Sequence, residues 1–258
     1  MIPRSSPGDA ALVVAHPDDE VLWLSSALAG AARIVLVFGT PFIKTWKAEG
    51  RRRAVAALPF ASRVVALGLP ESGARFCFDH ANPEPTGTGV AIAEAAARVR
   101  YDANFPRLVA ALRPVLAGCA TVFTHNPWGE YGHSEHIQVY RAVAALQEEL
   151  GYTLWFPNYV ARASWALARL SAVEPRWSER RVQAPDAATA RRAMAVYLRH
   201  RAWTWTPWHR WPRQETLYAE SPPADPAPRY ALRGETLLDV AGLRLWLPPG
   251  HAARRLPG

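Results

Sequence analysis

Lysine is nearly missing from this chain of 258 residues: Lys44 and Lys47 are its only examples, and cysteine and methionine occur twice each. Cys77 and Cys119 stand far apart in apolar surroundings without CxxC spacing, which excludes a disulfide framework and a cysteine zinc finger. They read as buried, reduced thiols and point to a cytoplasmic location. No apolar run approaches the ~20 residues of a membrane span. The opening Met-Ile-Pro-Arg-Ser-Ser-Pro-Gly lacks the apolar core of a secretory leader. The expectation is a soluble protein with no membrane partner. The net charge of +8 therefore comes from arginine, spread along the chain with short clusters at 51–53, 180–181 and 191–192. A compositional bias toward Ala, Arg and Pro accounts for that charge as well as a designed basic surface does. No nucleic-acid partner is expected, and an acidic or phosphorylated small ligand fits better.

What is present in quantity is apolar: half of the residues are hydrophobic, enough for a sizeable core. Four runs rich in Val, Ile and Phe, at 10–15, 33–39, 62–68 and 119–124, are near-continuous rather than alternating. That pattern suits strands of a parallel sheet covered on both faces. Helical patterns at 20–31, 46–58 and 89–117 separate them, and His136 to Leu150 reads as a further helix with Gly151 as its C-cap. The expected fold class is α/β, a Rossmann-like, mostly parallel sheet with helices on both faces. A fifth strand fits 153–160, where Pro157 argues against a central position. Beyond residue 165 the pattern weakens. A helix is expected over 186–201 with Asp186 as N-cap, then a Trp-dense stretch at 202–211, a Pro-rich connector at 221–228, and short strands at 236–240 and 243–247. Residues 1–165 would be the catalytic core and 166–258 an irregular elaboration packed on it, within one domain.

The first strand runs directly into Ala15-His16-Pro17-Asp18-Asp19-Glu20. An imidazole and three carboxylates crowded at the end of a buried strand are costly unless a cation or a reaction uses them. One Asp is explained by capping the next helix, but a cap needs one oxygen and no histidine. The fourth strand leads into a second polar loop, His125-Asn-Pro-Trp-Gly-Glu-Tyr-Gly-His133-Ser-Glu-His136. His133 and His136 are three apart at a helix start and share a face. One of them, with His16 and a carboxylate from 18–20, makes two imidazoles and one carboxylate, a donor set that leaves a metal position open for water. Zinc is the first expectation. Iron, cobalt and manganese accept the same donors.

His16-Pro17-Asp18-Asp19-Glu20 after an apolar strand, with Gly129-Glu-Tyr-Gly-His133-Ser-Glu-His136 later, resembles the PIG-L/LmbE-like zinc deacetylases over about residues 10–165. The resemblance implies His16, Asp19 and His136 as metal ligands. It makes Asp18 the general base that takes a proton from the metal-bound water, His133 the general acid at the departing amine, and Tyr131 a residue that polarises the substrate carbonyl. Many members read His-Pro-Asp-His where this chain has His133-Ser134-Glu135-His136, which puts the orientation of His133 in question. Glu71, after the third strand, and Arg53 are the substrate-binding candidates. Glu71 equally suits a solvated turn, and Arg51, Arg52 and Arg53, which could reach a phosphate or carboxylate, suit a solvated helix face better. His125 reads as a local hydrogen-bonding residue, Glu20 as support for the site, and Trp203, Trp205, Trp208 and Trp211 as core packing or a lid.

The function this implies is removal of an N-acetyl group from an amino sugar or related small natural product. Three alternatives stand beside it: an LmbE-like hydratase of an unsaturated acid, favoured by an arginine-rich rim; a catalytically silent binding module; and a basic nucleic-acid-binding protein. A homo-oligomer is compatible with all of them.

Overall fold

Strand β1 (Ala10–Val14) is buried at every position, as a strand covered on both faces must be. The computed structural model describes residues 10–42, 46–172 and 177–222. After β1 come a single helical turn α1 (Asp19–Leu22), β2 (Arg33–Thr40), α2 (Lys47–Ala56), β3 (Val64–Pro70), and the hairpin strands β4 (Pro85–Thr86) and β5 (Gly89–Val90). Then follow α3 (Ala95–Leu116), β6 (Thr121–Phe123), the short turn α4 (Gly129–Gly132), α5 (Ser134–Leu150) and β7 (Thr153–Pro157). The described part ends with α6 (Trp165–Ala172), β8 (Glu179–Gln183), α7 (Ala187–Arg199) and β9 (Glu215–Glu220).

The main sheet has seven strands in the order β3-β2-β1-β6-β7-β9-β8. The first five are mutually parallel, and β9 runs antiparallel to both β7 and β8. This is the expected α/β class. Alternation along β1 splits the core in two. Ala11 and Val13 join Leu108 and Leu112 of α3 and Val139 and Val143 of α5 in one layer. Leu12 and Val14 join Ala54 of α2 and Ala193 and Tyr197 of α7 in the other. Asp186 caps α7, accepting from Thr189 N at 3.0 Å, and Gly151 closes α5 at φ 75°, both as expected.

Four expectations need revision. The helix expected over 20–31 is one turn. The carbonyl of Val21 accepts from Trp211 Nε1, and Ser26 N donates to Glu215 Oε2 at 2.9 Å, so tertiary partners take groups that the next helical turn needs. The helix expected from residue 89 starts at 95, because Gly89–Val90 pairs with Pro85–Thr86 and Glu94 caps Ala96 N and Ala97 N. Strand β7 is central despite Pro157, which is its last residue. The ladder loses only a terminal donor, and Asn158 N resumes bonding to Thr216 O at 2.9 Å. Beyond residue 165 the chain is less irregular than its pattern suggests, since β8 and β9 extend the same sheet. Strand β9, Glu-Thr-Leu-Tyr-Ala-Glu, is buried throughout. Its end carboxylates are paired, Glu215 with Ser25 Oγ (2.6 Å) and Glu220 with Tyr140. The strands expected at 236–240 and 243–247, and most of the connector, lie outside the described residues.

Among the described residues no helix is long and apolar enough to cross a membrane. Neither cysteine is in a disulfide; Cys119 is buried and Cys77 half-buried.

Candidate active site

From β1 the chain builds outward through β2 and β3 on one side, and later through β6 and β7 on the other. The crevice between the carboxyl ends of β1 and β6 is thus the topological switch point, where doubly wound sheets bind ligands. Residues 16–20 follow β1 and residues 125–136 follow β6, so topology brings the two polar loops together. Local backbone geometry shapes each loop. Asp18 holds φ 99°, a left-handed conformation rare for a non-glycine residue and typical of functional sites. Its carbonyl accepts from Val21 N and Leu22 N, while its side chain makes no capping bond. The carboxylate is therefore free of the capping task that a single Asp at this point suggests. In the second loop Gly129 sits at φ 67°, where a Cβ would lie 2.9 Å from Ile137 Cγ1.

Asp19 stands between His16 and His136. Asp19 Oδ2 lies 3.2 Å from His16 Nδ1 and 3.2 Å from His136 Nε2. Two donors on a tetrahedral zinc with bonds of ~2.0–2.1 Å sit roughly 3.3 Å apart. His136 Nε2 is buried without an aligned hydrogen bond, although the oxygen is close. Close approach without alignment suits two atoms that share a third partner. Charge points the same way. Burial pulls the His16 imidazole down, yet its bonds to Asp19 and Glu135 outweigh that and raise it to about 10. His136 is raised by Asp19 and Glu130 against the same burial. The pocket is anionic enough to hold protonated imidazoles, and a divalent cation satisfies the same field. The donors present fit a metal of this class.

A hydrogen-bond chain fixes the orientation of these rings. Ala15 N donates to His125 Nε2 (2.8 Å), so His125 carries its proton on Nδ1 and gives it to Glu130 Oε2 (3.0 Å). The same carboxylate oxygen receives His136 Nδ1 at 2.6 Å, which turns His136 Nε2 toward Asp19. Despite burial, His125 and His136 hold Glu130 ionised, at about 2. Glu135 does for His16 what Glu130 does for His136. Its Oε2 meets His16 Nε2 at 3.0 Å, and Ser72 N (2.6 Å) and Oγ (2.7 Å) hold its other oxygen. The residue that raised doubt about His133 thus bonds His16 instead. Such carboxylate–imidazole pairs characteristically orient metal ligands.

Among the described residues three donor groups lie within 4.8 Å: His16, His133 and His136; Asp19, His125 and His136; and His16, Glu71 and Glu135. The bond from Ala15 withdraws His125 from the second. In the third, Glu71 Oε1 is bound by Arg51 Nη1 at 2.7 Å and Glu135 by Ser72.

Asp18 is fully buried beside Asp19. Burial, then the neighbouring charge, push its carboxyl up to about 7, against the pull of bonds from Thr204. Glu20 accepts Asp18 N (3.0 Å) and Tyr197 Oη (2.7 Å), supporting the site as expected, and burial raises it to about 8. His133 Nδ1 accepts from Glu135 N at 3.3 Å, which leaves Nε2 to carry the proton. Burial and the charges of His136 and His16 hold its imidazole well below the usual value. Tyr131 packs 5.4 Å from the His136 ring, among Trp23, Phe76 and Trp205.

The arginines sort by helix face. Arg51 is buried against Glu71, which stands 3.7 Å from His16 Nε2. Arg53, two residues on and so turned to the far face, has its side chain 61% exposed and bonded to Glu49. It does not join the site. The tryptophans divide too: Trp203 is buried, Trp205 meets Trp23 and Tyr131, and Trp208 is 81% exposed. Glu130, Ser72, Thr204 and Tyr197 escape the sequence reading. Glu130 lies inside the quoted loop and was open to notice, whereas nothing local marks the other three.

No protein-family model matches the chain. Over 196 residues, 67% of each chain, it is 29% identical to the 1D-myo-inositol 2-acetamido-2-deoxy-alpha-D-glucopyranoside deacetylase of Mycolicibacterium smegmatis (strain ATCC 700084 / mc(2)155). Its fold is similar to that of a deacetylase solved with teicoplanin from the teicoplanin pathway (15% identity, 84% of this chain and 100% of that one, TM-score 0.54). It is similar as well to a zinc-inhibited form of the teicoplanin deacetylase Orf2 (16% identity, 84% and 99%, TM-score 0.51). In sequence and in fold, the chain is similar to deacetylases.

Proposed function

We propose that this protein is a metal-dependent N-deacetylase of an amino sugar or related small acetylated compound, with His16, Asp19 and His136 as the ligands. The observation that supports the reading is Asp19 Oδ2 standing 3.2 Å from a nitrogen of His16 and 3.2 Å from one of His136, with an oxygen of buried Asp18, one residue away, unpartnered among the described residues. Zinc suits two imidazoles and a carboxylate. Bound there, it would supply Lewis acidity, bringing the pKa of a water toward neutrality and polarising an acyl oxygen.

Asp18 accepts the proton of the attacking water. A carboxyl near 7 is poised both to take that proton and to return it to the amine as the carbon–nitrogen bond breaks, giving acetate and a free amine. His133 then acts as a neutral Nε2–H donor to the developing oxyanion rather than as the imidazolium that the family resemblance suggests. Tyr131 forms a wall beside the reacting carbonyl. The hydratase alternative loses the arginines at 51–53, because Arg51 is held by Glu71 and Arg52 and Arg53 by Glu49, and keeps Arg75, which lies over Phe76 and Tyr131.

The deciding experiment loads the protein with zinc and offers a panel of N-acetyl amino sugars. Free acetate and a new primary amine are expected. A chain that releases neither, or holds no transition metal after reconstitution, is not this enzyme.

Two further outcomes follow. Glu130→Gln keeps the shape but weakens the acceptor behind His136, and should lower zinc affinity by roughly 10–100-fold in a chelator competition. Unchanged affinity removes Glu130 from the metal site. Zinc binding should also release protons at pH 7 and tighten as pH rises. The sign follows from His16: its pKa is raised to about 10 in the metal-free protein, so protons compete with metal below that value. Calorimetry in buffers of different ionisation enthalpy reads the release, and an affinity flat from pH 6.5 to 8.5 contradicts it.

A further inference from the structure

We propose that Thr204, in the tryptophan-rich segment at 202–211, is a positioning residue for Asp18, so that this segment completes the active site. The inference rests on the deacetylase reading. Both donors of Thr204 meet one oxygen: its N–H reaches Asp18 Oδ2 at 2.6 Å and its Oγ1 at 2.8 Å. Asp18 Oδ1 is buried with no hydrogen-bond partner among the described residues. A buried carboxylate that merely needs satisfying spreads its donors over both oxygens, because each unpaired one is costly. Here one oxygen is clamped twice and the other is left bare. That asymmetry fixes the rotamer and leaves a single acceptor for a proton.

The clamp is itself anchored. Arg201 turns the chain out of α7 at φ 55°, and Ala202 N and Trp203 N both donate to Tyr197 O. Trp203 Nε1 then bonds Thr206 O across the turn at 3.0 Å. Tyr197 also holds Glu20, which accepts Asp18 N, so backbone and carboxylate of Asp18 are tied to the same end of α7. On the other side of Thr204, Trp205 packs edge-on against Trp23, whose Nε1 bonds Asp19 Oδ1 at 3.1 Å, and against Tyr131. The segment therefore touches the groups assigned to base and pocket wall, and reaches the ligand Asp19 through Trp23. It does so from 186 residues along the chain.

The test compares Thr204→Val, Thr204→Ala and Thr204→Ser in zinc-loaded protein, with an N-acetyl amino sugar from which the wild type releases acetate. Val and Ala lose the hydroxyl clamp and keep the N–H. Each should lower kcat by about tenfold or more, the scale of a hydrogen bond to a charged group, with KM within about twofold and zinc content unchanged. Ser should restore kcat to within about threefold of wild type. An unchanged kcat in both Val and Ala, a Ser variant as slow as they are, or a loss carried by KM or zinc content overturns the assignment. Absence of acetate release by the wild type is a different failure, because it sinks the deacetylase reading before any variant is compared.

Discussion

Asp18→Asn is expected to lower acetate release by about a thousandfold while the protein keeps its zinc. A positioned general base is worth roughly 10²–10⁴ in rate, and a factor of 10³ corresponds to about 4 kcal/mol of transition-state stabilisation. Asparagine is nearly isosteric, so Thr204 still finds an oxygen at one position. At the other, the bare Oδ1 becomes an amide NH₂ that cannot accept a proton. The substitution also removes a carboxyl that burial and Asp19 hold at about 7. Removing a destabilised buried acid should not weaken the fold, so thermal stability should hold or rise. Steady-state kinetics with metal analysis on the same preparation checks this. A variant with more than about a tenth of wild-type turnover would show that the proton goes elsewhere, and one that loses zinc would make Asp18 a ligand.

The strands were legible because their burial on two faces writes near-continuous apolar runs, as in Ala-Ala-Leu-Val-Val at β1. The pattern fails where a polar group is buried with a distant partner. Glu215 and Glu220 disguise β9, since nothing local announces Ser25, Ser26 or Tyr140. Glu215, bonding Ser26 N, and Trp211, bonding Val21 O, cut the helix expected over 20–31 to one turn. Tertiary hydrogen bonds overrode local propensity in both places, and each lies 80 or more residues away in sequence.

For the site, sequence carried the groups on the two rim loops, because a β1–β6 switch point needs only strand order to be inferred. It erred on Arg53 by not carrying helical phase through to the neighbouring Arg51. It had no means to find Thr204, a common residue amid aromatics, or to see that the Glu135 carboxylate reaches across to His16 while only its N–H meets His133. Charge state was equally hidden. The neutral character of His133 follows from its burial beside two other imidazoles, which only the folded loop creates.

Asp19→Asn should produce the opposite phenotype to Asp18→Asn, one residue away. Asp19 Oδ2 stands between two imidazole nitrogens at 3.2 Å each, and its oxygens also accept His16 N and Trp23 Nε1. An asparagine oxygen can keep one of those neutral bonds, so the loop should fold. What disappears is the negative charge at the centre of the donor set, which holds His16 and His136 against their burial. Zinc affinity should fall by more than the 10–100-fold typical of outer partners, and zinc per chain after dialysis should drop below about a tenth. Turnover should fall with occupancy and not below it. The measurement is chelator competition alongside acetate release, for both variants. Asp18→Asn should have full metal and about a thousandth of the turnover; Asp19→Asn should turn over only in the fraction that retains metal. If Asp19→Asn holds zinc as tightly as wild type, the donor set must be drawn from His16, His133 and His136 instead, the alternative cluster within 4.8 Å. His133 could not then serve as a hydrogen-bond donor to the oxyanion.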